Sequence, residues 1–138
     1  GGIVKSPTVK DADYTLLVKD SGKPVVIKNK TADSTYILPT AAAGLNYKFM
    51  IVERTGSFDI EIKSPSATNF FFGGVIHIKG GDNSQAYITS DNDSNDFLTL
   101  TLAEAGTTVE MVCDGTNWFV SGYVLSESAP NFDDASGL

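Results

Sequence analysis

The stretch Thr107 to Val124, TTVEMVCDGTNWFVSGYV, constrains this chain more than any other. Asp114-Gly115 sits between two runs rich in β-branched and aromatic residues, and such a pair suits a type I′ hairpin turn, which requires positive φ at both central positions. A two-residue turn there pairs Cys113 with Thr116. It sets Met111 opposite Trp118 and Val109 opposite Val120 on one side, with Glu110 opposite Phe119 and Thr108 opposite Ser121 on the other. The first side reads as core and the second as polar or mixed. A one-residue slip would send Trp118 and Met111 to the opposite face, so turn chemistry and alternation support the same pairing. Cys113, the single cysteine, has no internal disulfide partner and no histidine or basic residue near it in sequence. It is expected to be a small buried apolar residue.

The rest of the chain repeats the same short pattern. Tyr14 to Lys19 reads as a strand, Asp20-Ser21-Gly22 as a turn, and Pro24 to Lys30 as a second strand opened by a proline that has no ladder donor to give. Ser34 to Leu38 is a short strand stopped by Pro39, and Thr40 to Gly44 is at most one helical turn. In Tyr47 to Arg54, YKFMIVER, the residues Tyr47, Phe49 and Ile51 alternate with Met50 and Val52. Apolar side chains on both faces predict a central strand covered on both sides. Ser57 to Lys63 alternates Phe58, Ile60 and Ile62 against Asp59, Glu61 and Lys63. Val75 to Lys79, Gln85 to Thr89 and Phe97 to Leu102 follow, separated by glycine-rich or acidic turns.

About ten short strands, with turns every 8 to 12 residues and no helix of more than a turn, predict an antiparallel β-sandwich of jelly-roll type. Its expected core is Trp118, Met111, Val109, Val120, Phe49, Ile51, Phe58, Ile60, Ile62, Leu98 and Leu100. Residues 14–125 form the expected domain. Residues 1–13 and 126–138 lack a sustained period and read as an extended N-terminal arm and a C-terminal tail.

The 138 residues suffice for one domain with a core of its own. Net charge is −7, spread unevenly: residues 1–69 hold nine Lys or Arg against seven Asp or Glu, and residues 70–138 hold one, Lys79, against ten. A nucleic-acid binder needs a dense basic stripe, whereas this chain has a single arginine, Arg54. No apolar run approaches the roughly 18 to 20 residues that cross a bilayer, and no basic start precedes an apolar core. The expectation is a chain made without an export signal, with neither nucleic acid nor membrane as partner. Gly1-Gly2 reads equally well as a native start or a cloning scar.

Catalytic sets are scarce. Asp91, Asp93 and Asn95 have the 1, 3, 5 spacing of a calcium loop, but Asp96 stands where the turn needs glycine and Leu102 where a bidentate glutamate belongs. A solvated acidic turn is the better reading. His77 is the only histidine, so a zinc site lacks ligands. No nucleophile elbow is present, and Asp59, Glu61, Glu110 and Asp114 are outward strand or turn carboxylates that serve solubility. The expectation is no enzyme, no cofactor, no metal and no small-molecule substrate. Phe70-Phe71-Phe72 is an apolar cluster that alternation cannot hide, because at least one ring must leave the core of an extended strand, so either the loop folds back as a plug or it buries against another chain. With Ile3, Val4 and Val9 of the arm and Phe132 of the tail, these are the candidate protein-contact residues.

Several short patterns follow one another in a recognisable order. They are Tyr36-Ile37-Leu38-Pro39 with Thr40 to Leu45, Tyr47-Lys48-Phe49, Ser57-Phe58-Asp59-Ile60, Phe72-Gly73-Gly74 and Val109 to Trp118. In that order the chain resembles the β-rich modules of tailed-bacteriophage virion proteins, most closely capsid decoration (cement) proteins, over about residues 14–125. The resemblance implies a structural virion protein made in the host cytoplasm and carried on the capsid surface. There it would tie major capsid proteins together as a homotrimer or other symmetric assembly, with arm and tail as straps. The alternative it leaves is a receptor- or glycan-binding module of a tail or head fibre. It carries over no catalytic residue.

Overall fold

The computed structural model describes residues 7–28, 32–53 and 58–134. Its strands are β1 (Thr8–Lys10), β2 (Tyr14–Thr15), β3 (Pro24–Ile27), β4 (Ser34–Ile37), β5 (Asn46–Ile51), β6 (Ile60–Lys63), β7 (Phe71–Lys79), β8 (Gln85–Thr89), β9 (Phe97–Leu100), β10 (Thr108–Cys113), β11 (Trp118–Ser126) and β12 (Asn131–Asp133). A 3-10 turn, Val18–Asp20, is the one helical element among the described residues. The strands form a seven-stranded sheet, in the order β1-β3-β5-β10-β11-β7-β8, and a five-stranded sheet, in the order β12-β9-β6-β4-β2. The two pack face to face as an all-β sandwich.

The expected antiparallel pairing holds for only half of the ladders. β10 pairs antiparallel with β11 and β5, β6 and β12 do so with β9, and β7 with β8. The pairs β1·β3, β3·β5, β2·β4, β4·β6 and β7·β11 are parallel. For the first four of these pairs the cause is the winding. From β1 to β7 each strand lies in the sheet opposite its predecessor, so every second strand returns to its own sheet running the same way. Parallel neighbours ordinarily need a crossover of about a dozen residues or more, commonly a helix. Here a strand of the facing sheet is the crossover.

The hairpin forms, with its partners displaced by two residues. Cys113 pairs with Trp118, Met111 with Val120 and Val109 with Gly122, leaving Asp114 to Asn117 as a four-residue connection. Asp114 opens this turn instead of occupying its centre. Its carboxylate accepts the backbone N–H groups of Thr116 at 2.9 Å and Asn117 at 2.8 Å, and only Gly115 has positive φ, at 111°. A displacement of two conserves the face of every side chain. Met111, Val109, Cys113, Trp118 and Val120 therefore all point inward and are buried as expected. Of the expected core, ten residues are buried and Phe58 is half-buried, just ahead of β6. Trp118 lies 6.0 Å from the Tyr47 ring, and Tyr36 meets Phe49 edge-on at 6.1 Å.

Both termini contribute strands to the sandwich. Thr8–Lys10 pairs in register with Val25 to Ile27, and Asn131–Asp133 pairs with Phe97 to Thr99. The arm is held by Asp20, a buried carboxylate that accepts the Tyr14 hydroxyl at 2.7 Å, the Leu17 N–H at 3.0 Å and the Thr8 hydroxyl at 3.3 Å. Burial pushes this carboxyl upward, but the bonds from Tyr14, Leu17 and Thr8 outweigh it and hold the group below its ordinary value. Lys10 lies 3.7 Å over the Tyr14 ring centroid, adding a cation–π contact to the same clasp.

Tyr47, beside Trp118, donates its hydroxyl to the Leu17 carbonyl at 2.8 Å. Burial, with the nearby Asp20 and Tyr14 adding, pushes its phenol up to about 12 from an ordinary value of 10.0. A pKa raised by folding means stability that is complete below the unfolded value of about 10 and lost as pH climbs from there toward 12. Tyr14 and Tyr36 are shifted in the same direction. Urea unfolding followed from pH ~8 to ~11 should thus show falling stability at the alkaline end, with a shallower fall in Tyr47→Phe. Equal slopes in the two proteins would mean that Tyr47 ionises in the folded state as readily as in the unfolded chain.

Candidate functional site: the outer face of the seven-stranded sheet

The inner faces of both sheets are occupied by the core. The outer face of the seven-stranded sheet is covered by none of the described residues. On it the register aligns one side chain from every strand. Val9 lies opposite Val26, Val26 opposite Met50, Met50 opposite Thr108, Thr108 opposite Tyr123, Tyr123 opposite Ile76 and Ile76 opposite Tyr87. At about 4.8 Å between strands, this row runs about 29 Å across the sheet. Val9, Ile76, Tyr123 and Tyr87 are 48%, 44%, 45% and 62% exposed, large values for apolar or aromatic side chains at paired strand positions.

A second apolar row lies four residues along the strands, where Val112 is opposite Phe119 and Phe119 opposite Phe72. The two phenyl rings are tilted against each other at 5.7 Å. Between the rows runs a polar one, Lys48 opposite Glu110 opposite Ser121, and the Lys48 ammonium stands 4.0 Å from the Glu110 carboxylate. These two half-exposed residues are the only charges at outward positions of this sheet's strands. A shallow depression lined by Asn46, Tyr47, Lys48, Glu110, Met111 and Val112 opens beside them.

The face accounts for a reading of β5 that the fold corrects. Met50 and Val52 were expected to lie under a second covering layer, but Met50 is half-buried and Val52 is 43% exposed. The apolar signal on this side of the strand is real, and no described part of the chain answers it.

The expected contact residues divide. Ile3 and Val4 lie outside the described residues. Val9 takes its place at the edge of the long row. In the triple phenylalanine, Phe71 is buried on the inner side, opposite Trp118, Phe70 is half-buried, and Phe72 is the ring that turns out to the surface. Phe132 is only 8% exposed, sealed against the chain's own core opposite Leu98, so its free surface is small. Reading strand by strand missed Val26, Met50, Ile76, Tyr87 and Tyr123 as one feature. The available signal was the apolar character of Val112, Phe119 and Tyr123 on the outward side of the hairpin.

The other motifs close on themselves. Asp91 accepts the backbone N–H groups of Asp93, Ser94 and Asn95 and the Ser94 hydroxyl, which depresses its carboxyl strongly. Its oxygens cap their own loop. Asn92 holds that loop to β7 by accepting the Gly73 N–H at 3.0 Å. His77 is buried, its Nε2 3.0 Å from the Ser126 carbonyl. Among the described residues no three His, Cys, Asp or Glu side chains are grouped to hold a metal ion. Comparisons of the chain with protein-family models, with curated proteins and with solved structures find no match.

Proposed function

We propose that this chain is a non-enzymatic assembly module, a decoration protein that binds and stabilises the capsid lattice of a tailed bacteriophage. The observation that carries the assembly reading is the apolar row across the open face of the seven-stranded sheet, since apolar surface kept in register over seven strands is what a protein contact buries. The virion assignment rests on the likeness in the order of short patterns from Tyr36 to Trp118 to phage virion β-modules. Such a protein works by occupying a repeated site, so weak individual contacts add up over many copies.

Incubating the purified chain with shells of its cognate major capsid protein and sedimenting the mixture tests this reading. Saturable binding at a fixed ratio to the capsid subunit, with shells that then resist heating better, is the expected result. A chain that stays in the supernatant at every concentration overturns it. The fibre-module alternative draws on Tyr87 and Tyr123, exposed rings of the kind that stack on sugars. It predicts glycan-array binding that Tyr87→Ala abolishes.

A further inference from the structure

We infer that the open face of the seven-stranded sheet is the seat of a second copy of this chain, packed sheet to sheet about a two-fold axis that runs between β5 and β10. The inference rests on the assembly reading for the idea that the face is covered, and adds what covers it.

Three features select a second copy. First, the charges are self-complementary. Lys48 on β5 and Glu110 on β10 are opposite each other in one row, and they are the only charges at outward positions of the sheet's strands. A two-fold axis parallel to the strands and between them exchanges β5 with β10, so each copy's Lys48 meets the other's Glu110, twice. An isologous contact needs that property of a single patch. A three-fold ring needs two different patches that fit each other, and this face offers one continuous patch.

Second, the apolar row matches itself under the same operation. Exchanging β5 with β10 also exchanges β3 with β11 and β1 with β7. Tyr123 of one copy then covers Val26 of the other, Ile76 covers Val9, and Met50 faces Thr108. β8 falls beyond the overlap, leaving Tyr87 at the rim.

Third, area and net charge agree with weak self-association. The six overlapping strands, about 24 Å wide, and three outward rows, roughly 20 Å long, cover about 480 Å² per copy, or about 960 Å² in total, the size of a weak, transient contact. The chain as a whole carries −7, which opposes contact between copies, but this face is neutral. Two copies therefore approach over it without net repulsion between the facing strands.

Sedimentation equilibrium of the purified full chain over a concentration series, at low and moderate salt, is the test. The expected species is a dimer of twice the 14.7 kDa chain mass. Lys48→Glu and Glu110→Lys should each weaken dimerisation by about tenfold or more, because each sets like charges against each other at two symmetric positions. The double variant Lys48→Glu with Glu110→Lys should restore it. Thermal unfolding of the monomeric single variants should stay close to the parent, since an exposed pair adds little within one chain. Tyr123→Ser should weaken the dimer and Tyr87→Ser leave it unchanged. A chain that stays monomeric to millimolar concentration, a trimer, or a dimer that both charge reversals leave intact overturns the inference. Capsid binding is read separately, so a dimer that ignores capsids leaves this inference standing and removes the decoration reading, and a monomer that decorates capsids does the reverse.

Discussion

Trp118→Ala is expected to lower the unfolding free energy by about 3 to 5 kcal/mol, read as a shift of the urea midpoint with little change in slope. Trp118 is fully buried and opens β11, where it is laddered to Cys113 on one side and Phe71 on the other. Its backbone N–H donates to the Phe70 carbonyl, and its ring packs beside Tyr47. Truncation empties the point where three strands of the seven-stranded sheet meet the core, and β-sheet backbone held by ladders on both sides cannot collapse to fill it. The indole N–H has no hydrogen-bond partner among the described residues, a cost the fold already bears. Trp118→Phe, which removes that orphan donor along with part of the volume, should consequently cost less than half as much as the alanine. An unchanged midpoint in Trp118→Ala would remove the hairpin from the centre of the core.

Gly122→Ala is the second large effect, expected to cost about 2 to 5 kcal/mol although it adds only one methyl group. Gly122 stands in β11 at φ 128°, and a Cβ there would fall 2.1 Å from the Thr108 carbonyl oxygen and 3.0 Å from the Val109 Cα. Both are backbone atoms of the neighbouring strand. Neither can move without opening the β10·β11 ladder at the end away from the turn, so the left-handed conformation and the clash add. Gly44→Ala separates the two terms. Gly44 also has positive φ, at 90°, but nothing lies within 4 Å of its would-be Cβ, so only the conformational term of about 1 kcal/mol applies. Equal losses in the two variants would show that close strand approach is not what Gly122 serves.

Both positions also show how far the sequence reaches. Trp118 is legible as core, because alternation in Trp118-Phe119-Val120 has period two and the hairpin sets which phase faces inward. Gly122 is not. Within its strand it reads as a weak point, and its necessity appears only once Thr108 is laddered two positions beyond where a two-residue turn would have put it. The Asp114 carboxylate makes that difference. An Asp-Gly pair can sit at the centre of a tight turn or open a wider one, and which it does depends on whether Asp114 bonds Thr116 and Asn117.

The candidate surface divides along the same line. Alternation states that Val26, Met50, Tyr123, Ile76 and Tyr87 point away from one core, strand by strand, and for β5 it even marked both faces as apolar. Alternation cannot state that these residues share one row. That depends on which strands are neighbours, and here neighbours are set by a chain that crosses between the sheets from β1 to β7, pairing strands remote in sequence. Phe132 shows the converse. As one apolar residue in an aperiodic tail it carried no sign of a core role, and it acquired one when Asn131–Asp133 added itself to the edge of β9. The sequence by itself determined the all-β class, the phase of the periodic strands and the central part of the core around Trp118, because those follow from local period and turn chemistry. Only the tertiary structure decided the mixed pairing, the hairpin register and the seven-strand row, because backbone hydrogen bonds between strands are alike for every side chain, and the choice among partners is made by the packing of the whole sandwich.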